Sequence, residues 1–298
     1  TNTTDTFYVT NSNQMPLGTW SIAGTLIDTL TGKVNYNTSG VSVITIGGAL
    51  ILTQNTLITT NIAVTGSFII RLSGDLIVKD HSRVFTPTAA SGISIHFSDI
   101  STFSSPKYIS WTSDSISRFT NLVFDSGCVR KLLTNVTQPQ MSVSGDSLKG
   151  TLICGTNYIS TANNDSFMIG DRATIYTAHT GGLDSSIQQM TARHFSKSAN
   201  YIYNGTSTQL TGLTLPDTIK SPDIIPLNGT VTIDNPAGVI LSKGLYFTFL
   251  SQLNLEVGIF TIGSLLTMGK QTFVNIDTGN FSTPPYYLPI GSISGVTV

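Results

Sequence analysis

The sequence has few charged residues, and Glu256 is its single glutamate. Asp, Glu, Lys and Arg together make up 10% of the 298 residues, against about 25% in an average soluble domain. Glu, Lys and Arg supply many of the exposed faces of helices. Their scarcity argues against a mainly helical protein and favours strands and turns.

The chain also lacks any excess of positive charge. Its formal net charge is −1, and it contains no run of Lys and Arg that would neutralise several phosphates. We therefore predict no direct contact with nucleic acid. A near-neutral surface rich in hydroxyls and amides gives little repulsion between molecules, which suits a protein that works inside an assembly.

Long hydrophobic runs are missing as well. No charged residue lies between Lys33 and Arg71, but Thr, Asn, Ser or Gln interrupts this segment every few residues. A membrane-spanning helix needs about 20 mainly apolar residues. The sequence therefore predicts no transmembrane segment.

Residues that bind metals are few and scattered. The histidines have no spacing typical of a zinc site; they are His81, His96, His179 and His194. We predict neither a metal nor another cofactor. The two cysteines, Cys128 and Cys154, are compatible with one disulfide or with two buried thiols.

Short apolar bursts dominate the segment 41–84. Within most bursts the apolar residues are two positions apart, which places them on one face of a strand. Many are β-branched, and such residues suit a pleated surface. Thr, Asn, Gly, Ser or Asp separates the bursts, which are Val43/Ile44/Ile46, Leu50/Leu52, Leu57/Ile58, Ile62/Val64, Phe68/Ile70/Leu72 and Leu76/Val78.

This rhythm predicts an all-β fold. Three short strands in each coil of about 20 residues are typical of a parallel β-helix, and the alternative is a jelly roll or sandwich. One short helix is predicted near 184–198. There Leu183, Ile187 and Met190 fall on one helical face, and Ser185 and Gln188 have the spacing of a capping box.

Composition predicts four regions along the chain. Residues 1–40 form an N-terminal arm with entry strands, and residues 41–204 form the main β domain. Residues 205–228 are interpreted as a linker because they contain Pro216, Pro222 and Pro226. Residues 229–298 regain strands and are predicted to be a C-terminal β module with an extended tail.

Residues 40–160 resemble right-handed parallel β-helix proteins such as phage tailspikes and pectate-lyase-like folds. The resemblance consists of short alternating strands, polar corners, and phrases such as ITIGG at 44–48 and NLVFDSG at 121–127. It implies a stacked coil and raises the alternative of a carbohydrate-active protein.

Three aspartates near predicted corners are the candidate catalytic residues: Asp80, Asp99 and Asp125. With coils of about 20 residues, Asp80 and Asp99 would lie on adjacent coils as paired carboxylates acting on a glycan. The simpler interpretation is that Asp occupies corners because it hydrogen-bonds its own backbone there. That interpretation is the one we favour from sequence.

The leading functional hypothesis is a non-enzymatic structural subunit of a viral or extracellular assembly, such as a capsid, spike or fibre. Low charge, abundant strands and the lack of a catalytic constellation motivate it. Its expected partners are copies of itself, other subunits and host surface glycans, and its expected location is the virion or the extracellular space. The alternative is a secreted polysaccharide lyase or hydrolase, or a lectin-like adhesin.

Overall fold

The chain is an all-β parallel β-solenoid, in which strands of successive coils pair side by side. The computed structural model describes residues 6–9, 19–22, 25–28, 33–36, 41–53, 57–60, 67–85, 92–113, 121–138, 146–161, 166–188, 192–221, 229–248, 250–262, 266–269, 272–282 and 296–297. Its strand pairings are parallel, which confirms the predicted β-helix. A jelly roll is built from antiparallel strands and is therefore excluded.

The chain divides into two compact units. The first unit comprises Thr1–Ser147, Ile159–Phe167 and Gln189–Ala192, and the second comprises Leu148–Tyr158, Met168–Gln188 and Arg193–Val298. Three strands contain residues of both units: β16 (Asp146–Leu148), β19 (Ser166–Ile169) and β22 (Ala192–Phe195). The predicted main domain, 41–204, thus contributes to both.

In the first unit, three sheets and one further strand pair surround the core. The strands of its long sheet are β1 (Thr6–Val9), β3 (Thr25–Asp28), β6 (Leu50–Leu52), β9 (Leu76–Val78), β12 (Lys107–Trp111) and β14 (Val129–Leu132). The strands of the second sheet are β2 (Thr19–Ile22), β5 (Val41–Ile46), β8 (Ser67–Leu72), β11 (Gly92–Phe97) and β13 (Asn121–Phe124). The remaining strands are β4 (Lys33–Tyr36), β7 (Leu57–Thr60) and β10 (Arg83–Phe85), and the pair β15 (Val136–Gln138) and β18 (Ile159–Thr161).

In the second unit, the long sheet has the same parallel pairing. Its strands are β17 (Thr151–Gly155), β20 (Thr174–Thr177), β23 (Asn200–Tyr203), β26 (Thr230–Asp234), β29 (Gln252–Val257), β32 (Phe273–Ile276) and β34 (Val296–Thr297). The other two sheets contain β24 (Gln209–Leu210), β27 (Val239–Ile240), β30 (Ile259–Thr261) and β33 (Asn280–Ser282), and β25 (Thr218–Ile219), β28 (Leu245–Phe247) and β31 (Leu266–Met268).

Columns of apolar side chains fill the interior of each unit, because in-register pairing places alternate residues of every coil inward. In the first unit, Leu50, Leu76, Ile109 and Leu132 form one such buried column. In the second unit, the corresponding buried column is Ile175, Tyr201, Val231, Leu253 and Val274.

Several coils are longer than the predicted length of about 20 residues, whereas others match it, such as the coil that pairs Asn254 with Asn275, 21 positions later. Val41 pairs with Ser67, 26 positions later, and Asn200 pairs with Thr230, 30 positions later.

The segment predicted as a linker, 205–228, contains β24 and β25. The flanking strands β23 and β26 pair directly, so the segment belongs to one long coil; residues 222–228 lie outside the described part.

The helix predicted near 184–198 is a single turn, α1 (Leu183–Ser186), followed by β21 (Ile187–Gln188) and then by β22. Gly182 precedes it with φ of +65°, and a Cβ there would lie 2.1 Å from the carbonyl oxygen of Leu210. Close backbone approach and a left-handed conformation therefore require glycine at this position. Met190, assigned to the helical face, lies outside the described residues.

Both cysteines are buried free thiols, Cys128 in the first unit and Cys154 in the second. Burial raises the pKa of each thiol to about 12, so neither is a reactive thiolate at neutral pH.

Among the described residues, no helix has the length and apolar character needed to cross a membrane.

Candidate functional site

A row of hydrogen-bonded polar side chains covers the outer face of the second unit's long sheet. Thr232, Asn254 and Asn275 face outward at paired positions of β26, β29 and β32. The Asn275 Nδ2 donates to the Asn254 Oδ1 at 3.0 Å, and the Asn254 Nδ2 donates to the Thr232 Oγ1 at 3.1 Å. The row is thus a polar ladder that runs across three coils.

Three carboxylates follow this ladder at the ends of the same strands. Asp234, Glu256 and Asp277 each come two residues after a ladder residue. A register shift pairs Asp234 with Val257, so Asp234 is near Glu256 without being directly paired with it. Glu256 and Asp277 are exposed, and Asp234 is half-buried. We call these three residues the acid row.

Glu256, the middle residue of the acid row, and the nearby Tyr176 have raised pKa values. Partial burial raises the pKa of Glu256, and the negative charges of Asp234 and Asp277 raise it further. The pKa of Tyr176 is raised by burial and then by Glu256 and Asp234.

Sequence reasoning missed the acid row, although a signal for it exists. Each of its members follows the apolar residues of a strand, and the spacings are 22 positions from Asp234 to Glu256 and 21 from Glu256 to Asp277. These spacings match the coils here, since Asn254 pairs with Asn275, 21 positions later.

Asp99, a predicted candidate, lies inside the first unit. Its Oδ1 accepts a hydrogen bond from the Nη2 of Arg130, whose side chain is fully buried. The same Nη2 donates to the Leu72 carbonyl oxygen at 3.1 Å, and the guanidinium lies 4.7 Å from the centre of the Phe97 ring. Burial lowers the pKa of Arg130, and Asp99 opposes that shift. The structure thus places Asp99 in a buried ion pair.

Asp80 and Asp125 lie in turns. Asp80 and His81 have φ of +49° and +53°, as in a type I′ turn, which favours Asp at these positions. Asp80 lies between the long sheet and β10, whereas Asp99 and Asp125 both lie between the second sheet and the long sheet. The structure therefore brings Asp99 and Asp125 to one corner and Asp80 to another.

One row on the outer face of the first unit's long sheet is mostly apolar. Ile51, Ile77 and Ser110 occupy paired outward positions of β6, β9 and β12. Leu133 extends this row, because its N–H donates to the Ile109 carbonyl oxygen at 2.9 Å. Leu133 is 50% exposed, and Tyr108 in the neighbouring row is 37% exposed. We call Ile51, Ile77, Ser110 and Leu133 the apolar strip.

Within the described residues, no group of three or more His, Cys, Asp or Glu side chains is arranged to hold a metal ion. Comparison of the chain with protein-family models, with curated protein sequences and with solved structures finds no match.

Proposed function

We propose that the chain is a structural subunit of a viral or extracellular assembly, and that two copies associate through the apolar strip. The observation that carries this proposal is the alignment of apolar side chains along one outer face. Adjacent strands are about 4.8 Å apart, so Ile51 and Ile77 are direct neighbours, and Leu133 follows in the same row beyond Ser110. Contiguous exposed apolar surface is typical of protein interfaces.

Charged residues beside the apolar strip favour a second copy of this chain as its binding partner. Asp75, Tyr108 and Lys131 form the neighbouring outward row, since Tyr108 pairs with Lys131 and its N–H donates to the Asp75 Oδ1 at 2.8 Å. Opposite charges therefore flank a central tyrosine. In a twofold-symmetric contact, Asp75 of each copy meets Lys131 of the other, and Tyr108 lies near the axis.

The mass of the purified full chain tests this proposal. We expect a dimer or larger species by light scattering, and we expect Leu133→Lys to shift it toward the monomer by placing an unpaired charge in the strip. Leu213→Lys is the matched control, because Leu213 is 64% exposed and lies in the second unit. A wild-type chain that stays monomeric at every concentration contradicts the proposal.

A second candidate function is cleavage of a polysaccharide at the acid row. The position of Glu256 between Asp234 and Asp277 favours it, because glycoside hydrolysis uses one protonated and one ionised carboxyl group. In this case, incubation with polysaccharides releases fragments, and Glu256→Gln abolishes the release while Asp99→Asn retains it. Absence of cleavage from all substrates removes this candidate and leaves the assembly proposal intact.

A further inference from the structure

A chemically labile pair of residues lies at one corner of the second unit. Asn204 is followed by Gly205, directly after β23. In an Asn-Gly pair the glycine nitrogen attacks the side-chain amide carbon readily, because glycine has no Cβ to hinder the approach. The Asn204 Nδ2 leaves as ammonia with the proton given up by the Gly205 nitrogen, and water opens the resulting succinimide to aspartate or isoaspartate. The corner therefore contains a site at which the chain could modify itself.

Packing across the corner requires glycine at position 205. A Cβ there would lie 2.7 Å from the Gln209 Oε1 and 3.0 Å from the Ala178 carbonyl oxygen, and both distances are closer than ordinary van der Waals contact. Ala178 follows the neighbouring strand β20, which pairs with β23. The oxygen is thus held by the stacking of coils, and the fold fixes the glycine of the labile pair.

The buried Gln209 side chain holds the nitrogen that would attack. Its Oε1 accepts a hydrogen bond from the Gly205 N–H at 2.8 Å. Its Nε2 donates to the carbonyl oxygens of Thr177 and His179 at 3.0 Å, which anchors the amide on the neighbouring coil. Deamidation requires the Gly205 nitrogen to give up this proton and to turn toward the Asn204 Cγ. The hydrogen bonds of Gln209 oppose both changes.

The oxygen that would take up negative charge has no donor near it. Attack on the Cγ places an oxyanion at the Asn204 Oδ1, and such a charge is stabilised by hydrogen-bond donors aimed at it. The Oδ1 is buried and accepts no hydrogen bond from the described residues. Burial of a charge without a partner is costly, so the surroundings of the Oδ1 oppose the same reaction at a second atom.

We propose that Gln209 protects the Asn204–Gly205 pair from deamidation in the folded chain, so that this corner is modified only when it opens. Gln209 is a positioning residue, because it holds the Gly205 nitrogen and takes no part in the reaction. In the unfolded chain both restraints are lost, and the reaction proceeds at the rate set by the local sequence. This inference does not depend on the assembly proposal.

Deamidation of Asn204 in the full chain is measured by mass-spectrometric peptide mapping after incubation at mildly alkaline pH, with and without urea. Segments 204–206 and 228–230 both read NGT, so in urea Asn204 and Asn228 should react at similar rates. Without urea, we expect Asn204 to react at least about tenfold more slowly than in urea, because the reaction requires local opening. Equal rates at Asn204 with and without urea overturn the inference.

A variant of Gln209 separates its role from that of the fold as a whole. Gln209→Met keeps the length of the side chain and removes its hydrogen bonds, so Asn204 should react about tenfold faster than in the wild type. Leu253→Ala is the matched control and should react as the wild type does, because it opens a cavity in the core of the same unit and leaves the Gln209 hydrogen bonds in place.

Circular dichroism during the incubation verifies that both variants are folded. A wild-type rate at Asn204 in Gln209→Met overturns the inference. An equal rise in Gln209→Met and Leu253→Ala overturns it as well, since protection would then come from overall stability and not from Gln209. The comparison of the wild-type chain with and without urea remains a test even if a variant fails to fold.

Discussion

The two units share one architecture but differ in what their long sheets present on the outside. In the first unit the outer row contains Ile51, Ile77 and Leu133, and in the second it contains Thr232, Asn254 and Asn275. The inward columns of buried side chains determine the fold, so the residues at outward positions can differ between the two units. An apolar strip suits contact with another protein, whereas a polar ladder beside carboxylates suits a hydrated ligand.

The units also differ in the polar groups that they bury. The first unit buries the charged pair Arg130 and Asp99. The Arg130 Nε and Nη1 and the Asp99 Oδ2 have no partner among the described residues. The second unit instead buries the neutral Gln209, whose side chain is hydrogen-bonded at both ends. Removing one partner should therefore cost more in the first unit.

The largest effect is expected for Arg130→Ala. This change leaves the Asp99 carboxylate buried without its partner, and we expect the free energy of unfolding to fall by about 3–5 kcal/mol. Denaturant unfolding measures the change. The double variant Arg130→Met with Asp99→Leu replaces both charges by apolar groups and should recover most of the stability. A double variant no more stable than Arg130→Ala contradicts this account of the pair.

A smaller loss is expected for Gln209→Ala in the second unit. The variant removes the hydrogen bonds that the Gln209 side chain makes to several backbone groups and to the Asn235 Nδ2. We expect the free energy of unfolding to fall by about 2–3 kcal/mol. Thr208→Ala is the control, since Thr208 is exposed and its hydroxyl makes one hydrogen bond to the Ala237 carbonyl oxygen. If Gln209→Ala lowers the free energy of unfolding more than Arg130→Ala does, the expected difference between the two interiors is wrong.

The smallest effect is expected at the acid row. Since the pKa of Glu256 is raised in the folded chain, its carboxyl favours folding most at low pH, and this contribution is lost as the pH rises through the raised pKa. Glu256→Gln should therefore stabilise the chain at pH 7, by at most about 0.5 kcal/mol because the group is exposed.

The pH and salt dependence of the Glu256→Gln effect sharpens this prediction. The gain should vanish below the ordinary pKa of glutamate and shrink at high salt. Asp217→Asn is the matched control; Asp217 is exposed and lies 3.7 Å from the Lys197 Nζ, so its removal should not stabilise. Destabilisation by Glu256→Gln at pH 7 would contradict the raised pKa of Glu256 in the folded chain.

Spacing within strands was sufficient to predict the parallel coil, because every second residue of a burst such as Leu50/Leu52 lies inward and is buried. The sequence was not sufficient to predict which residues lie next to each other on neighbouring coils. Asp80 and Asp99 are 19 positions apart, whereas Ser67 and Gly92, which pair across that coil, are 25 apart. Loops at the corners vary in length, and period-two patterning within strands does not determine that length.

The sequence also did not predict which polar side chains are buried. Arg130 lies in a strand of alternating character, VRKL, next to the exposed Lys131. Composition does not distinguish which of two adjacent cations faces inward, since that depends on the register with Leu132.

Labelling of a cysteine placed in the apolar strip tests the central claim most directly. Ser110→Cys introduces a thiol between Ile77 and Leu133, and the native cysteines are buried. Thr267→Cys, an exposed position in the second unit, is the control. If copies associate through the strip, the rate of maleimide labelling at position 110 falls as protein concentration rises, while the rate at position 267 stays constant. A rate at position 110 that is independent of concentration contradicts the account.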